Sequence, residues 1–301
     1  MDDRNHTAPL NLPRNASVVV FAPHPDDSAI SCGALIALSV RAGLHVTIVL
    51  VTDGSEAHIP VDFLAQYGWH ASWSATDTRA LRGRIRVQEG YEEGRRFGLV
   101  DASVRLLREQ TWHTLHATPL ESMTDDLCLR NVADYKAAPL EQTAIAEVSE
   151  LLESFPSDAP MVVAVPDPND RLLMHRITVQ IVSTSLSRRV DLCARIHTLL
   201  LYSCLSSNGE TSVGERVLVG FDEATMRQKE HAIRAHMSMR ARRRKYGGYD
   251  SGSQEFYDSL IRRVNHSTAE TAHVEAEFAE QYRLVSRPTF ADWEFLRSRE
   301  A

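Results

Sequence analysis

Cysteine is scarce in this chain of 301 residues: there are only Cys32, Cys128, Cys193 and Cys204, and no two stand in a Cys-x-x-Cys spacing. That excludes a disulfide-stapled scaffold and a thiolate zinc finger. The four read as reduced packing residues. Long hydrophobic runs are missing too, and the opening Met-Asp-Asp-Arg-Asn-His carries no signal-peptide core. A cytoplasmic protein with no membrane partner is expected. Positive charge is in deficit: the net charge of −7 speaks against a general nucleic-acid binder. The one local basic run, Arg240, Arg242, Arg243, Arg244 and Lys245, reads as a solvated helix end or loop. No Gly-x-Gly-x-x-Gly follows the first apolar run, where dinucleotide binding needs it. Internal repeats and low-complexity segments are absent as well.

What remains is ordinary soluble composition, 43% hydrophobic and 24% charged, at a length that fits one large α/β domain or two smaller ones. Within it one segment stands out. The apolar run Val18 to Ala22 reads as a buried strand and stops at Pro23-His24-Pro25-Asp26-Asp27. A small-residue stretch from Ala29 to Leu38 then reads as a helix. An imidazole and two carboxylates therefore sit where a strand ends and a helix begins, the edge at which open α/β sheets bind ligands. Imidazole and carboxylate are ordinary zinc ligands. His24 and Asp27 are close enough in sequence to share one ion in a tight turn, which Pro25 stiffens. Asp26, between them, is placed to act as general base on a water. Helix capping by Asp26 and Asp27 is the competing reading, but it leaves a histidine between two prolines unexplained.

Along the chain, residues 1–16 read as a loose arm. A helix is expected over Ala29–Arg41, a strand over His45–Thr52, a charged helix over Arg79–Phe97, and a short strand over Ser103–Leu107. A helix over Pro139–Ser154, a strand over Met161–Val165, a helix over Ile177–Ser187 and a strand over Arg195–Ser203 follow. Helices are then expected over Met226–His236 and Ala269–Tyr282. Strand and helix alternate through the first 200 residues or so, which predicts an α/β fold with a Rossmann-like, mostly parallel sheet flanked by helices. Loop insertions fall at the carboxyl edge, over 55–78 and 108–138. The core is expected over about 17–205, with a helical C-terminal part over about 206–301. Asp53 ends the second strand at the same edge. The loop 55–78, with Phe63, Tyr67, Trp69, His70 and Trp73, reads as a substrate lid offering faces for sugar stacking, and equally as packing. His175 opens the helix after the Met161–Val165 strand and can face His24 and Asp27 if that strand lies beside the first. Asp170 is placed to orient it, or is a turn residue.

Taken in order, these segments resemble the PIG-L / LmbE-like family of zinc-dependent N-deacetylases over most of the chain. Pro-His-Pro-Asp-Asp (23–27) is similar to the family's AHPDD[E] signature, and Val51-Thr52-Asp53-Gly54 to its T-[DN]-G. Arg86-x-x-Glu89 with Phe97-Gly98 is similar to RxxE…LG. Asp170 to Thr178 resembles D-x-H-P-D-H-R-A-T, and Lys229-x-x-Ala232-x-x-x-His236-x-Ser238 resembles K-x-x-A-x-x-x-H-x-S-Q. Glu275-Ala276-Glu277-Phe278 is loosely similar to a late A-E-x-F. The resemblance implies one domain over 17–301, Zn²⁺ on His24, Asp27 and His175, and Asp26 as general base. It makes Arg86 a substrate-facing candidate, with Asp53, Asp170, Trp69 and His236 as further substrate-binding candidates. The implied partner is a small N-acylated substrate such as an amino sugar. Whether the chain forms a homo-oligomer stays open, and the two-nitrogen, one-oxygen ligand set by itself also admits iron or cobalt.

Three departures matter. Ser28 stands where the family has glutamate, Met239 where it has glutamine, and Leu172 where it has a histidine thought to steady the transition-state charge. His236, His113, His116 or an arginine would have to supply that charge, or the metal alone. Two other readings stay open: a family amidase acting on a thiol conjugate or other non-sugar substrate, and a metal-binding homologue without activity. Leu172 favours the second; the intact Asp26 opposes it.

Overall fold

The structure is a computed structural model that describes residues 12–107, 139–170, 172–203, 214–246, 254–271, 276–289, 291–293 and 296. The expected insertion 108–138, with His113 and His116, lies outside the described residues, as do Cys128, Cys204, Glu275 and most of the expected arm. In chain order the elements are β1 (Ser17–Ala22), α1 (Asp27–Arg41), β2 (His45–Leu50), α2 (Val61–Ala65), α3 (Ala75–Arg96), β3 (Val104–Leu106), α4 (Pro139–Glu153), β4 (Met161–Pro166), α5 (Leu173–Ser187), α6 (Val190–Arg195), β5 (Ile196–Tyr202), β6 (Glu215–Phe221), α7 (Glu223–Ile233), α8 (Met237–Tyr246), α9 (Gln254–Thr271) and β7 (Phe278–Ser286).

The strands form one sheet in the order β3-β2-β1-β4-β5-β7-β6. From β3 to β5 every pairing is parallel; β7 is antiparallel to both β5 and β6. The central strands are apolar throughout because both faces are covered, as parallel sheets require. Val18, Val20 and Ala22 of β1 point into one core, which they share with α1 and α7. Val19 and Phe21 point into the other, shared with α4 and α5. Each fully buried Val, Leu or Ile in these layers contributes about 1.5–3 kcal/mol. The chain leaves β1 toward β2 on one side and returns as β4 on the other. The gap between the carboxyl ends of β1 and β4 is therefore the topological switch point, where such sheets hold ligands.

Several helix boundaries differ from the sequence expectation; α7, for one, spans Glu223–Ile233 rather than Met226–His236, with Asp222 accepting the Thr225 N–H as its cap. Helix α3 starts four residues before the expected Arg79, because Ser74 and Asp77 form a reciprocal capping box. Helix α1 starts at Asp27, with Asp26 in the cap position but making no capping hydrogen bond through its side chain. Capping therefore does not explain Asp26.

The C-terminal third needs correction. It holds α7, α8 and α9, but it also extends the sheet with β6 and β7, and the helix expected over Ala269–Tyr282 ends at Thr271. Glu280 and Tyr282 stand two residues apart and both reach α1. That period of two belongs to a strand, and pairing with β5 and β6 overrides the helical preference of Ala and Glu. Glu280 accepts hydrogen bonds from the backbone N–H groups of Ala34 (2.8 Å) and Leu35 (3.2 Å), from the Lys229 ammonium (2.6 Å) and from the Tyr282 hydroxyl (2.6 Å). A Cβ at Gly33 would lie 2.7 Å from Lys229 Cγ, so glycine is what lets the lysine stem cross α1. This cluster locks β7 and α7 onto α1.

Among the described residues no helix is long and apolar enough to cross a membrane.

Lys229 and Glu280 are 1% and 3% exposed at their side chains. Removing one partner leaves the other charged and buried, which costs about 3–5 kcal/mol. Lys229→Ala is expected to lose about 3 kcal/mol, the low end, because Glu280 keeps three other donors. Urea unfolding followed by circular dichroism measures it.

Candidate metal centre

The turn after β1 and the loop after β4 bring three donor side chains together. His24, Asp27 and His175 each place a ligand atom within 4.8 Å of the others. Asp27 Oδ2 is the meeting point: it accepts the His24 backbone N–H at 2.8 Å and lies 3.0 Å from His24 Nδ1 and 3.2 Å from His175 Nε2. Burial alone would raise the Asp27 carboxyl, but His175 and His24 outweigh it and hold the group well below the ordinary value. The result is a fixed carboxylate between two imidazoles, a donor set that suits zinc or a similar divalent ion.

Asp170 prepares His175. Its Oδ2 lies 3.0 Å from His175 Nδ1, and its Oδ1 accepts the Leu172 backbone N–H at 2.8 Å. Asp170 and His175 are both fully buried. A carboxylate on Nδ1 fixes the proton there and turns Nε2 toward the ligand site, the outer arrangement that metal-binding histidines use. Leu172, half-buried, is the N-cap residue of α5 and offers no polar side chain at this rim.

Helix α3 lies against the same turn and supplies charge from behind. Arg86 Nη2 donates to Asp26 Oδ1 at 2.6 Å, and the arginine is 2% exposed. Burial alone would raise Asp26, yet the Arg86 guanidinium outweighs that and leaves its pKa lowered. Asp26 is thus a carboxylate at neutral pH, with Oδ1 held and Oδ2 on the other side. Gly54, at φ 66°, allows this packing: a Cβ there would lie 2.8 Å from Arg86 Nε and 3.0 Å from Pro25 Cδ.

The remaining expected site residues are also placed. Asp53 is buried: its Oδ1 accepts the Ser55 N–H at 2.9 Å, and its carboxylate packs on Gly83 of α3. His236 is 1% exposed, with Nε2 2.6 Å from Glu93 Oε2. Trp69 packs beside Ile59, Phe63, Leu64, Leu81 and Ile85, and gives its indole N–H to Thr78 Oγ1 at 3.0 Å. The segment 55–78 therefore has a small core of its own, around α2, while Tyr67 is half exposed. Of Arg86, Asp53, Asp170 and His236, Asp170 hydrogen-bonds a member of the donor set, through His175.

Sequence reading passed over Glu93, and took Glu89 and Ser238 only as parts of motifs. Glu89 accepts from the Ser238 backbone N–H (2.7 Å) and hydroxyl (2.5 Å), and Glu93 accepts from the Ser28 hydroxyl (2.6 Å). A signal was available. Arg86, Glu89 and Glu93 follow helical spacing, on the side that Gly83, Gly90 and Gly94 turn toward the sheet. Charges interleaved with glycines on one helix face imply close packing against polar partners.

Asp170→Asn removes the carboxylate that orients His175. It is expected to weaken divalent-metal binding about 10- to 100-fold, measured by competition between the protein and a chromophoric chelator for zinc.

The fold agrees with comparisons to known proteins. A family model for PIG-L, described as GlcNAc-PI de-N-acetylase, matches residues 19–186. No curated protein matches the chain. Among solved structures, the N,N'-diacetylchitobiose deacetylase from Pyrococcus horikoshii, complexed with its inhibitor MPG, is 19% identical with a TM-score of 0.56, over 90% of this chain and 84% of that one. The A40926 pseudoaglycone deacetylase Dbv21 is 17% identical with a TM-score of 0.57, over 92% and 100%. The zinc-inhibited form of the teicoplanin deacetylase Orf2 is 14% identical with a TM-score of 0.58, over 90% and 98%. At these identities the likeness is one of fold. The family match spans more than half of the chain and takes in His24, Asp26, Asp27 and His175: this protein belongs to the PIG-L family, described as GlcNAc-PI de-N-acetylase, and with it to the hydrolytic N-deacetylases.

Proposed function

We propose that the chain is a zinc-dependent hydrolase that removes an acetyl, or another small acyl group, from the nitrogen of an amino sugar or amino-sugar conjugate. The observation that supports this best is the juxtaposition of a three-donor site, His24, Asp27 and His175, with a separate carboxylate, Asp26, held by Arg86. A pure binding site has no use for that fourth group. His24, Asp27 and His175 would hold the ion, which when bound lowers the pKa of a water and polarises an amide carbonyl.

Asp26 does the proton work. Its Oδ2 takes the proton of the attacking water as the new C–O bond forms, then passes it to the amide nitrogen as the C–N bond breaks. Acetate and a free amine leave. Arg86 keeps Asp26 aimed throughout and favours its ionised form before the water's proton is taken. Asp170 keeps His175 in the right tautomer. Leu172 offers no donor for the developing oxyanion, a charge that a bound ion would help to neutralise. Names of similar structures fit this reading: one is an N,N'-diacetylchitobiose deacetylase and another an A40926 pseudoaglycone deacetylase. The soluble substrate, with neither nucleic acid nor membrane as partner, is part of the same reading.

The test is acetate release from a panel of N-acetylated amino sugars and their conjugates, with zinc added up to one equivalent, with chelator, and with Asp26→Ala. One similar structure is a zinc-inhibited form, so excess zinc is kept out. Release is expected to need the metal. It is expected to fall about 100- to 10,000-fold in Asp26→Ala, with bound zinc unchanged. Full activity in that variant, or no release from any member of the panel, overturns the assignment.

A further inference from the structure

Behind Asp26 lies a buried polar chain that the reaction as written does not use. Glu93 of α3 is completely buried and both of its carboxylate oxygens are occupied. Oε1 accepts the hydroxyl of Ser28, also fully buried, at 2.6 Å. Oε2 pairs with His236 Nε2 at 2.6 Å. Ser28 directly follows Asp27 in the first turn of α1. His236 lies between α7 and α8, 143 residues from Glu93 in sequence. One carboxylate thus ties the ligand-bearing turn to a distant segment.

We propose that Glu93 is a positioning residue of the metal centre: by bridging Ser28 and His236 it holds the turn that carries His24, Asp26 and Asp27 in register with His175. Three observations carry this. First, Glu93 bonds to both Ser28 Oγ and His236 Nε2, each at 2.6 Å, and so joins the turn to that segment directly. Second, α3 is built to sit close to the turn. A Cβ at Gly90 would lie 2.8 Å from Leu50 Cδ1 and 3.4 Å from Pro25 Cβ, and one at Gly94 would lie 2.5 Å from Val104 Cγ2. Third, a buried carboxylate is expensive unless it is paired and hydrogen-bonded, and here both partners are supplied. Burial pushes the Glu93 carboxyl up even so, while the His236 imidazole, which burial alone would lower, is raised by its bond to Glu93.

The position of Ser28 sharpens the idea. The family resemblance puts glutamate there, so a carboxylate absent from α1 has its counterpart on α3. A glutamate at 28 facing a serine at 93 would return one carboxylate and one hydroxyl to the same buried space, with net charge and composition unchanged. The two arrangements should then be interchangeable.

The inference rests on the proposed metal site, and the experiment separates the two. Zinc affinity is measured by chelator competition for the wild type, Glu93→Ser and the double variant Ser28→Glu/Glu93→Ser, together with melting temperatures without metal. Glu93→Ser is expected to weaken zinc binding about 10- to 100-fold, and the double variant to recover most of that loss. On a substrate that the wild type cleaves, kcat should follow the same order while KM moves little. Unchanged zinc affinity in folded Glu93→Ser, with only its melting temperature lowered, would mean a merely structural role and overturn the proposal. So would a double variant no better than the single one. If Glu93→Ser does not fold, a double variant that folds and binds zinc supports the exchange, and one that also fails to fold refutes it. A wild type that binds zinc and releases no acetate refutes the proposed substrate, while the zinc affinities still decide the role of Glu93.

Discussion

The parallel pairing of β1 with β4 is the constraint on which the metal centre depends. Ser17 pairs with Met161 and Val20 with Ala164, in unbroken register. The chain after β1 and the chain after β4 therefore emerge side by side, at the point where the connections diverge to opposite sides of the sheet. Backbone groups at such an edge are free to meet a ligand. His24 and Asp27 arrive on the first connection, Asp170 and His175 on the second. A slip of one residue would turn every strand side chain to the other face. The alternation of Val18, Val20 and Ala22 with Val19 and Phe21 between two separate cores prevents it.

Around this frame the molecule buries an unusual amount of charge, and in each case the charge holds one element to another. Arg86 joins α3 to the turn after β1. Glu89 and Glu93 join α3 to the segment that begins α8. Glu280 joins β7 to α1 through Lys229 and two backbone N–H groups. Desolvation makes such contacts poor sources of net stability. Their directionality makes them good determinants of position, since an ion pair or a double hydrogen bond tolerates less displacement than an apolar contact. The proposed reaction needs donor atoms and a proton acceptor held within fractions of an ångström. The interior is arranged to give that rigidity, at the cost of polar groups in the core.

Legibility in the sequence followed the range of the interactions. The β1 turn was readable because apolar run, Pro-His-Pro, acid pair and helix all lie within one short stretch, and local chemistry dictates them. The five parallel strands were readable for the same reason: each is a short, mainly apolar segment bounded by turn or helix signals. His175 was legible only jointly with the assumption that its strand lies next to β1, which the sheet order bears out. Phe278–Tyr282, the end of the helix expected over Ala269–Tyr282, is strand instead, because it becomes one only through pairing with β5 and β6. Arg86 was read as a substrate-facing candidate; its contact with Asp26 was not read. A charged side chain on a helix gives no local sign of the carboxylate it will meet sixty residues away.

The sequence by itself determined the fold class, the ligand types and the turn that presents two of them, because apolar periodicity and side-chain chemistry act over a few residues. Only the tertiary structure decided which charges would be inside. Along the chain Ser28, Glu89, His236 and Ser238 were marked only by family motifs, and Glu93 by none; no local signal joined the five. They became a connected buried network once α3 was laid against the turn and the segment before α8 was folded beneath it. Whether a polar group lies in water or inside the protein is fixed by what packs over it, and for these residues that packing comes from segments distant in sequence.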